Sequence, residues 1–359
     1  MTEAPQQGLE IPEEPLAVSV LTGFLGSGKT TLLRHLLAHP AMDETAVIVN
    51  EFGEIGLDHL LVEQATEDTV LLNSGCLCCT VRGDLVAGMR DLFKRRVNRE
   101  VPPFKRLVIE TTGLADPAPI LQTLMTDPLL SSRFRLDGVI TTVDAVNGDA
   151  TLDRQPESVK QAAVADRILL TKSDIAEAER RGALEQRLKG LNPAAPIYES
   201  VQGVIDPGLL FNAGLYDPEK KSPDVRAWLK AEAYDHDGHH HHGHHHDVNR
   251  HDESIRAFCL SYDKPLDWDR FNSWVEMLIT LYGGNILRIK GLLNVAGVEQ
   301  PIVIHGVQHV FHPPARLEAW PDESRESRLV FIVRDLKPEM FEHTLKAFNE
   351  DSTAPLTTE

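Results

Sequence analysis

Short apolar runs alternate with amphipathic stretches from residue 16 to about residue 215. The apolar runs have the length and composition of strands: LAVSVL, AVIVN, TVLLN, RLVIE, GVITTVD, RILLTK and APIYES. The stretches between them, such as KTTLLRHLLAH and DLVAGMRDLFKRR, have helical spacing. Several strands are apolar at consecutive positions, which is typical of strands covered on both faces. The pattern predicts an α/β domain with a mostly parallel sheet, in which ligands bind beyond the carboxyl ends of the strands.

The pattern changes after a polar segment that is rich in charged residues, proline, glycine and histidine. Beyond it, the strand-like runs IRAFCLSY, ILRIKGLLNV, PIVIHGV and RLVFIVRDL cluster with a helix at about residues 266–282 and a last helix after Pro338. This clustering predicts a smaller α+β domain. The expected organisation is a disordered tail (1–15), the α/β domain (16–215), a histidine-rich linker (216–252), the α+β domain (253–349) and a second tail (350–359).

Composition and charge narrow the class of protein. A chain of 359 residues with 42% hydrophobic and 25% charged residues fits a folded protein of two domains. Its 54 acidic and 36 basic residues give a net charge of -18, so we expect no nucleic-acid partner. Because no apolar run reaches the ~18 residues of a membrane span and the first residues lack an export signal, we expect a cytoplasmic protein that binds no membrane.

Residues 23–30 read GFLGSGKT and match the pattern G-x-x-x-x-G-K-[ST] between a predicted strand and a predicted helix, the context that a phosphate loop requires. The glycines let backbone amides point at phosphate oxygens, and the helix N-terminus adds positive potential. We expect Lys29 to reach the β- and γ-phosphates of a nucleotide and the Thr30 hydroxyl to bind Mg²⁺.

A second motif, RLVIETTG at residues 106–113, ends an apolar strand with an acid. The carboxylate of Glu110 can hold Mg²⁺ directly or through its water shell, and Gly113 can bring its amide to the γ-phosphate. A strand-end glutamate with no special role is the alternative. On the first interpretation, the catalytic residues are Lys29, Thr30, Glu110 and Gly113.

The sequence TKSD at residues 171–174 follows another apolar strand and predicts the choice of base. Asp174 can accept two hydrogen bonds from guanine, whereas adenine would leave the carboxylate unpaired, so GTP is favoured over ATP. The usual pattern is N-K-x-D, and Thr171 in place of asparagine leaves one loop contact open. A plain strand-to-helix turn is the alternative, and the expected base contacts are Lys172 and Asp174.

Three of the four cysteines lie together as Cys76, Cys78 and Cys79, directly after a predicted strand. Three thiolates suit Zn²⁺ and leave one tetrahedral position open, as transfer of the metal requires. Buried or redox-active cysteines are the alternative. Glu51, in the NEFGEIG segment after the second strand, is a candidate fourth ligand or Mg²⁺ sensor, and a solvated acidic turn is an equally weighted interpretation.

Residues 236–251 hold nine of the sixteen histidines. Flexible imidazoles bind Zn²⁺, Ni²⁺ or Co²⁺ without a fixed geometry, so we expect metal loading or buffering, with a low-complexity linker or an engineered tag as alternatives. The auxiliary ligands would be His239, His240, His241, His242, His244, His245 and His246. For the sparser set His305, His309 and His312 we expect strand and turn packing, and for Cys259 a core position.

Taken in order, GFLGSGKTTLL, VNEFGEIG, NSGCLCCTVRGDL, ETTGLADP and TKSD resemble the CobW-like family of G3E GTPases, which includes the zinc-regulated GTPase metalloprotein activators. The segments GGNILRIKGLLN, HGVQHVF and RLVFIVRDL resemble the CobW C-terminal domain, so the resemblance covers nearly the whole chain. It implies a P-loop GTPase fold in the α/β domain, and metal ligands at Cys76, Cys78, Cys79 and Glu51. It also implies nucleotide contacts from Gly23, Gly26, Ser27, Gly28, Lys29, Thr30 and Thr31.

The resemblance implies slow GTP hydrolysis coupled to delivery of a metal, commonly zinc, to a client metalloprotein. We therefore expect a metallochaperone that uses GTP, Mg²⁺ and Zn²⁺, with metal-dependent self-association as a further expectation. Delivery of Co²⁺ for cobalamin synthesis is one alternative. A metal-storage or sensing protein, in which the nucleotide only stabilises the fold, is another, and a small-molecule P-loop kinase is a third.

Exchanging Asp174 for asparagine tests the base assignment. An amide donates where the carboxylate accepts, so Asp174→Asn should replace guanine preference by xanthine preference. Competition between GTP and XTP for the purified variant measures the change. Unchanged GTP binding would remove Asp174 from the site.

Overall fold

The computed structural model describes most of the chain, namely residues 11–12, 14–49, 70–73, 81–211, 255–311, 313–321 and 323–349. The whole predicted linker, most of the first predicted tail and the whole second tail lie outside these ranges, so their roles stay predictions. The described residues belong to two compact units. No helix within them has both the length and the hydrophobicity that crossing a membrane requires.

Parallel strands organise the described residues up to 211. The strands are β1 (Leu16–Gly23), β2 (Thr45–Val49), β3 (Val70–Asn73), β4 (Arg106–Glu110), β5 (Phe134–Asp144), β6 (Arg167–Thr171) and β7 (Ile197–Ser200). They form one sheet in the order β3-β2-β4-β1-β5-β6-β7, and each neighbouring pair is parallel. The helices are α1 (Lys29–Leu37), α2 (Val81–Val97), α3 (Ala118–Thr126), α4 (Pro128–Arg133), α5 (Gly148–Arg154), α6 (Pro156–Ala163) and α7 (Ala178–Leu191).

Burial of consecutive strand residues explains why the apolar runs lack alternation. Every residue of β2 and of β6 is buried, as predicted for strands covered on both faces. Helix α1 packs on the sheet through its four leucines, which share a core with Val47, Val108 and Ile140. The packing places β1 between β4 and β5, so the loop after β1 leaves from the middle of the carboxyl edge.

Strand β5 begins earlier than the predicted run GVITTVD. The residue that interrupts the apolar pattern is Asp137, which is buried in the strand and accepts a hydrogen bond of 3.2 Å from the Ser19 hydroxyl on β1. A hydrogen bond removes much of the cost of burying a polar group. Because Asp137 interrupts the apolar run, the sequence pattern predicts a strand that begins too late.

The second unit is built on an antiparallel sheet. Its strands are β8 (Ile255–Tyr262), β9 (Ile286–Leu293), β10 (Ile302–Val307), β11 (Val310–Phe311), β12 (Ala315–Arg316) and β13 (Ser327–Arg334), and its helices are α8 (Trp268–Tyr282) and α9 (Pro338–Asn349). The strand order is β11-β10-β9-β13-β8, with β12 paired to β10. The Asp267 side chain caps α8 by accepting the Arg270 N–H at 3.0 Å, which explains why the helix begins there. The predicted α+β class is confirmed.

Aromatic side chains form the core of this unit. The ring of Phe331 packs against those of Phe258, Phe341 and Trp274, with centroid distances of 5.4, 4.7 and 6.2 Å. The Trp274 indole is buried, and its Nε1–H donates to the Thr344 hydroxyl at 2.9 Å. The indole therefore joins α8 to α9 as well as filling the core.

Two predictions about single residues in this unit have different outcomes. His305 is buried in β10, in keeping with the packing that was expected, and His309 lies in the following turn; His312 is outside the described residues. The expectation for Cys259 was wrong, because this thiol is only partly buried. Cys259 lies on edge strand β8 between two buried residues, so its side chain points to the opposite face of the sheet.

Replacing Trp274 by alanine tests the importance of the aromatic core. The variant should lose about 3–5 kcal/mol of unfolding free energy, because it leaves a cavity and removes the Thr344 contact. Leu281→Ala on the same helix is the matched control, since Leu281 is 62% exposed and its truncation should cost less than about 0.5 kcal/mol. Urea titrations followed by circular dichroism compare the two, and equal losses would contradict this description of the core.

Candidate functional site

Loops from three strands of the parallel sheet meet around a cavity of about 630 Å³ at the carboxyl edge. Parallel strands end at the same edge, so motifs distant in sequence come together there. The lining residues are Leu25, Gly26, Gly28, Lys29, Thr30 and Thr31 after β1, Glu110, Thr111, Thr112, Gly113 and Leu114 at the end of β4, and Lys172 after β6.

Glycine conformations shape the loop between β1 and α1. Gly28, directly before α1, has a φ of 89°, which glycine adopts without strain. Gly23 has a φ of 141°, and a Cβ there would lie 2.7 Å from the Ser27 hydroxyl. The first N–H groups of α1 have no partner within the helix. The turn leaves them pointing outward from the helix N-terminus, where they can bind an anion.

Hydroxyl groups of the neighbouring strands hold Ser27 in the middle of this loop. The Ser27 and Thr142 hydroxyls share a hydrogen bond of 2.7 Å. The Thr171 hydroxyl donates to the Ser27 carbonyl at 2.8 Å and also contacts the Val143 carbonyl at 3.3 Å. Thr171, which stands where asparagine is usual, therefore ties the loop after β6 to the phosphate loop.

Lys29 brings a positive charge to the cavity. Its ammonium donates to the carbonyl oxygens of Gly23 at 2.7 Å and Phe24 at 3.3 Å, and the residue is buried. These bonds fold the side chain back along its own loop. The charge therefore lies beside the loop amides that are suited to phosphate oxygens.

Thr30 and Glu110 place two oxygen donors next to each other. The Thr30 hydroxyl donates to Glu110 Oε1 at 3.3 Å, and the carboxylate is buried at the end of β4. A hydroxyl and a carboxylate are donors that Mg²⁺ accepts, together with waters and phosphate oxygens. The donor set thus fits the cation that a nucleoside triphosphate brings with it.

The loop after Glu110 lies against the phosphate loop. The Thr111 hydroxyl donates to that of Thr22 at 2.8 Å, and the Thr111 N–H donates to the Leu21 carbonyl at 2.9 Å. Further along, a Cβ on Gly113 would lie 2.6 Å from the backbone nitrogen of Leu25. Because a side chain at 113 has no room, glycine lets this loop approach the phosphate loop closely.

Lys172, which lines the cavity, is paired with Asp144 at the end of β5. The Lys172 ammonium contacts Asp144 Oδ2 at 2.7 Å, and the Lys172 backbone has a φ of 57°. Burial acts to raise the pKa of Asp144, but hydrogen bonds from Lys172, from the Asn147 side chain and from backbone N–H groups outweigh burial and hold this pKa below its usual range. Asp174 is exposed two residues further on and is not among the residues that line the cavity.

The sequence interpretation missed Asp144 and Thr142. Both lie in the last three residues of β5, so the signal that indicated Glu110, a polar side chain at the carboxyl end of an apolar strand, could have found them. The expected metal ligands Glu51, Cys76, Cys78, Cys79 and the histidine tract lie outside the described residues. Among the residues that are described, no group of three or more His, Cys, Asp and Glu side chains could hold a metal.

The topology nevertheless constrains where the chain leaves the sheet toward those ligands. Strand β2 ends at Val49, two positions before Glu51, and β3 ends at Asn73, three positions before Cys76. Both strands run parallel to β4, and β2 pairs directly with it. The two segments therefore start at the same edge as the loop that carries Glu110 and Gly113.

The depressed pKa of Asp144 predicts a pH dependence. A carboxyl whose folded-state pKa is lowered adds stability above its unfolded pKa of about 3.9, and this stability disappears as pH falls through the folded-state pKa. The unfolding free energy of Asp144→Asn should thus be below that of the wild type at pH 7, and the difference should narrow below about pH 4. Urea midpoints at a series of pH values measure the difference, and a constant difference from pH 7 to about pH 3 would contradict the assignment.

Comparison with known proteins covers both units. The model of the CobW/HypB/UreG nucleotide-binding domain matches residues 17–199, and that of the cobalamin synthesis protein cobW C-terminal domain matches residues 255–349. The chain is 36% identical over 326 residues to the zinc chaperone YjiA of Escherichia coli (strain K12), and the match covers 90% of this chain and 96% of that protein. It is 38% identical over 200 residues to zinc-regulated GTPase metalloprotein activator 1 of Schizosaccharomyces pombe, and this match covers 54% of this chain and 47% of that protein.

A solved structure agrees with these matches. The crystal structure of Zn(II)-bound YjiA GTPase from E. coli has a TM-score of 0.69 and 32% identity, and it covers 94% of this chain and 100% of that chain. The family expected from the motifs is thereby confirmed. This chain belongs to the CobW family, with a CobW/HypB/UreG nucleotide-binding domain followed by a CobW C-terminal domain.

Proposed function

We propose that this chain is a GTP-dependent zinc metallochaperone, which binds zinc at its C-x-C-C segment and transfers it to a client metalloprotein as GTP is hydrolysed. One observation supports the proposal most strongly: the segments with the thiols and Glu51 start at the same sheet edge as the phosphate-site loops. The names of the relatives, zinc chaperone and zinc-regulated GTPase metalloprotein activator, support the same function.

The chain is a GTPase that converts GTP to GDP and phosphate, and four residues would perform the central tasks. Lys29 and the loop amides bind the β- and γ-phosphates and balance their charge. Thr30 and Glu110 would hold Mg²⁺, which neutralises charge on the phosphates when it is bound. The Gly113 amide contacts the γ-phosphate, so the position of its loop distinguishes GTP from GDP.

The preference for guanine rests on the loop after β6. Asp174 accepts hydrogen bonds from the base, and the Lys172 stem covers one face of it, with the Lys172 ammonium fixed by Asp144. Thr171 keeps this loop in register with the phosphate loop through the Ser27 carbonyl. Base and phosphate contacts are therefore parts of one hydrogen-bonded unit.

The zinc site would consist of Cys76, Cys78 and Cys79, with Glu51 as the fourth ligand. Three thiolates bind Zn²⁺ tightly, and a weaker fourth ligand lets an incoming client donor replace it. We place the activity in the cytoplasm, where thiols stay reduced. A shift of the Gly113 loop on hydrolysis would alter the neighbouring loop after β2 and so change zinc affinity.

The histidine tract would load zinc rather than hold the transferred ion. Imidazoles on a flexible segment capture metal with little selectivity and release it on acidification. Zinc shared between the tracts of two copies would account for the expected metal-dependent self-association. Cobalt could bind the same donors, and the zinc chaperones among the relatives favour zinc.

Replacing all three clustered cysteines by serine tests the zinc site. The triple variant Cys76→Ser, Cys78→Ser, Cys79→Ser should lose tight zinc binding and keep GTP affinity, since the phosphate loop is untouched. Cys259→Ser is the matched control, because it makes the same chemical change on edge strand β8 and should keep both activities. Zinc titration with a competing chelator and fluorescent-nucleotide titration measure the two affinities.

Retained stoichiometric tight zinc in the triple variant would contradict the proposed ligands. GTP turnover separates the chaperone from a storage protein: the proposal predicts that zinc changes the wild-type rate and leaves the triple-variant rate unchanged. A wild-type rate that is independent of zinc would favour storage.

A further inference from the structure

Helix α6 holds the loop that follows β4, although it lies outside the motifs of the nucleotide site. The Gln161 side chain of α6 is buried, and its Nε2 donates to the carbonyl oxygens of Gly113 at 3.2 Å and Ala115 at 3.0 Å. The backbone carbonyl of Gln161 accepts a hydrogen bond of 2.8 Å from the Thr141 hydroxyl on β5. The loop, the helix and the sheet are thus joined through one residue.

A second contact from the same helix fixes the far end of the loop. The Lys160 ammonium contacts Asp116 Oδ2 at 3.0 Å, and Asp116 Oδ1 accepts the N–H of Ala118 at the start of α3. Gln161 and Lys160 therefore attach the segment from 113 to 116 to α6 at both of its ends. The attachment is independent of the hydrogen bonds between Thr111 and β1.

The bond to the Gly113 carbonyl sets the orientation of the peptide that follows. In a trans peptide the C=O and the next N–H point in opposite directions. Anchoring the Gly113 carbonyl on the buried Gln161 amide therefore turns the Leu114 N–H away from α6, and both Gly113 and Leu114 line the cavity. Since Gly113 already lies against the Leu25 backbone, a small rotation would displace this loop from the phosphate site.

The amide of Gln161 has one orientation that suits these partners. Both loop groups are acceptors, so Nε2 must face them, and Oε1 has no hydrogen-bond partner among the residues that the structure describes. A buried acceptor without a partner is destabilising. The side chain therefore contributes to the loop through its two donors, not through its acceptor.

We propose that Gln161 is a positioning residue for the γ-phosphate. Its buried side-chain amide holds the loop of residues 113–116 in the arrangement that contacts GTP, and it holds the loop more firmly than contacts from an exposed helix surface would. The inference rests on the role proposed above for the Gly113 amide and adds the residue through which α6 controls it. Gln161 itself touches neither nucleotide nor Mg²⁺, so its effect should depend on whether a γ-phosphate is present.

Gln161→Met provides the test, because methionine fills a similar volume and removes both donors together with the unsatisfied acceptor. Thr141→Val is the matched control, since it removes the hydroxyl that holds the Gln161 backbone but leaves the side-chain amide in place. Gln161→Met should lower kcat and the affinity for a non-hydrolysable GTP analogue by about tenfold each. Its GDP affinity should stay within about twofold of the wild type, and Thr141→Val should keep the ratio of analogue to GDP affinity.

Two results would overturn the inference. One is a Gln161→Met variant whose kcat and affinity ratio match the wild type. The other is an equal loss of GDP and analogue affinity in Gln161→Met, which would indicate a purely structural role. If Gln161→Met does not fold, Gln161→Asn replaces it, because the shorter side chain withdraws both donors from the loop carbonyls, and a wild-type affinity ratio in that variant counts against the proposal.

The outcome is separable from that of the proposed function. A wild-type GTP turnover that is independent of zinc would contradict the metallochaperone proposal, whereas the ratio of analogue to GDP affinity would still decide the role of Gln161. A zinc-dependent wild-type rate with an unaffected Gln161→Met variant would leave the metallochaperone proposal standing and reject the positioning role.

Discussion

Two hydrogen bonds to Ser27 hold the phosphate loop open between the strands that flank it. The Thr142 hydroxyl binds the serine side chain from β5, and the Thr171 hydroxyl binds its carbonyl from β6. A loop of glycines has a large conformational entropy, so it needs such restraints to present its amides in one arrangement. The shape of the cavity and the position of the Lys29 charge depend on them.

The parallel sheet would extend this arrangement to the proposed metal site. Because strands β2, β3 and β4 end at one edge, the segments that lead to Glu51 and Cys76 start at the same edge as the loop of Glu110 and Gly113, which we propose contacts the γ-phosphate. On this proposal, loss of that phosphate needs to move the Gly113 loop only slightly for the metal site to respond, since couplings of about 1–3 kcal/mol suffice to change an affinity by 5–150-fold. Gln161 would set the resting position from which the loop moves.

Local patterns predicted much of this architecture. Consecutive burial of β2 and β6 followed from their apolar runs, and the phosphate loop, Glu110 and Lys172 meet in one cavity as the strand ends suggested. Contacts that depend on register between distant strands could not be predicted: Gly23 lies opposite Thr142 in the β1–β5 pairing, 119 residues away in sequence. The sequence interpretation also missed Gln161, because a polar residue in an amphipathic helix is expected to be exposed until its loop partner is known. The partly buried Cys259 is the opposite case, since an apolar run on edge strand β8 does not reveal which face of the strand is covered.

The central claim is that the occupant of the phosphate site changes the affinity for zinc. Calorimetric titration of Zn²⁺ into the full chain, once saturated with GDP and Mg²⁺ and once with a non-hydrolysable GTP analogue and Mg²⁺, tests it most directly. The account predicts zinc dissociation constants that differ by about fivefold or more between the two nucleotide states. It also predicts that zinc changes the ratio of analogue to GDP affinity by the same factor. Identical zinc affinity in both states would contradict it.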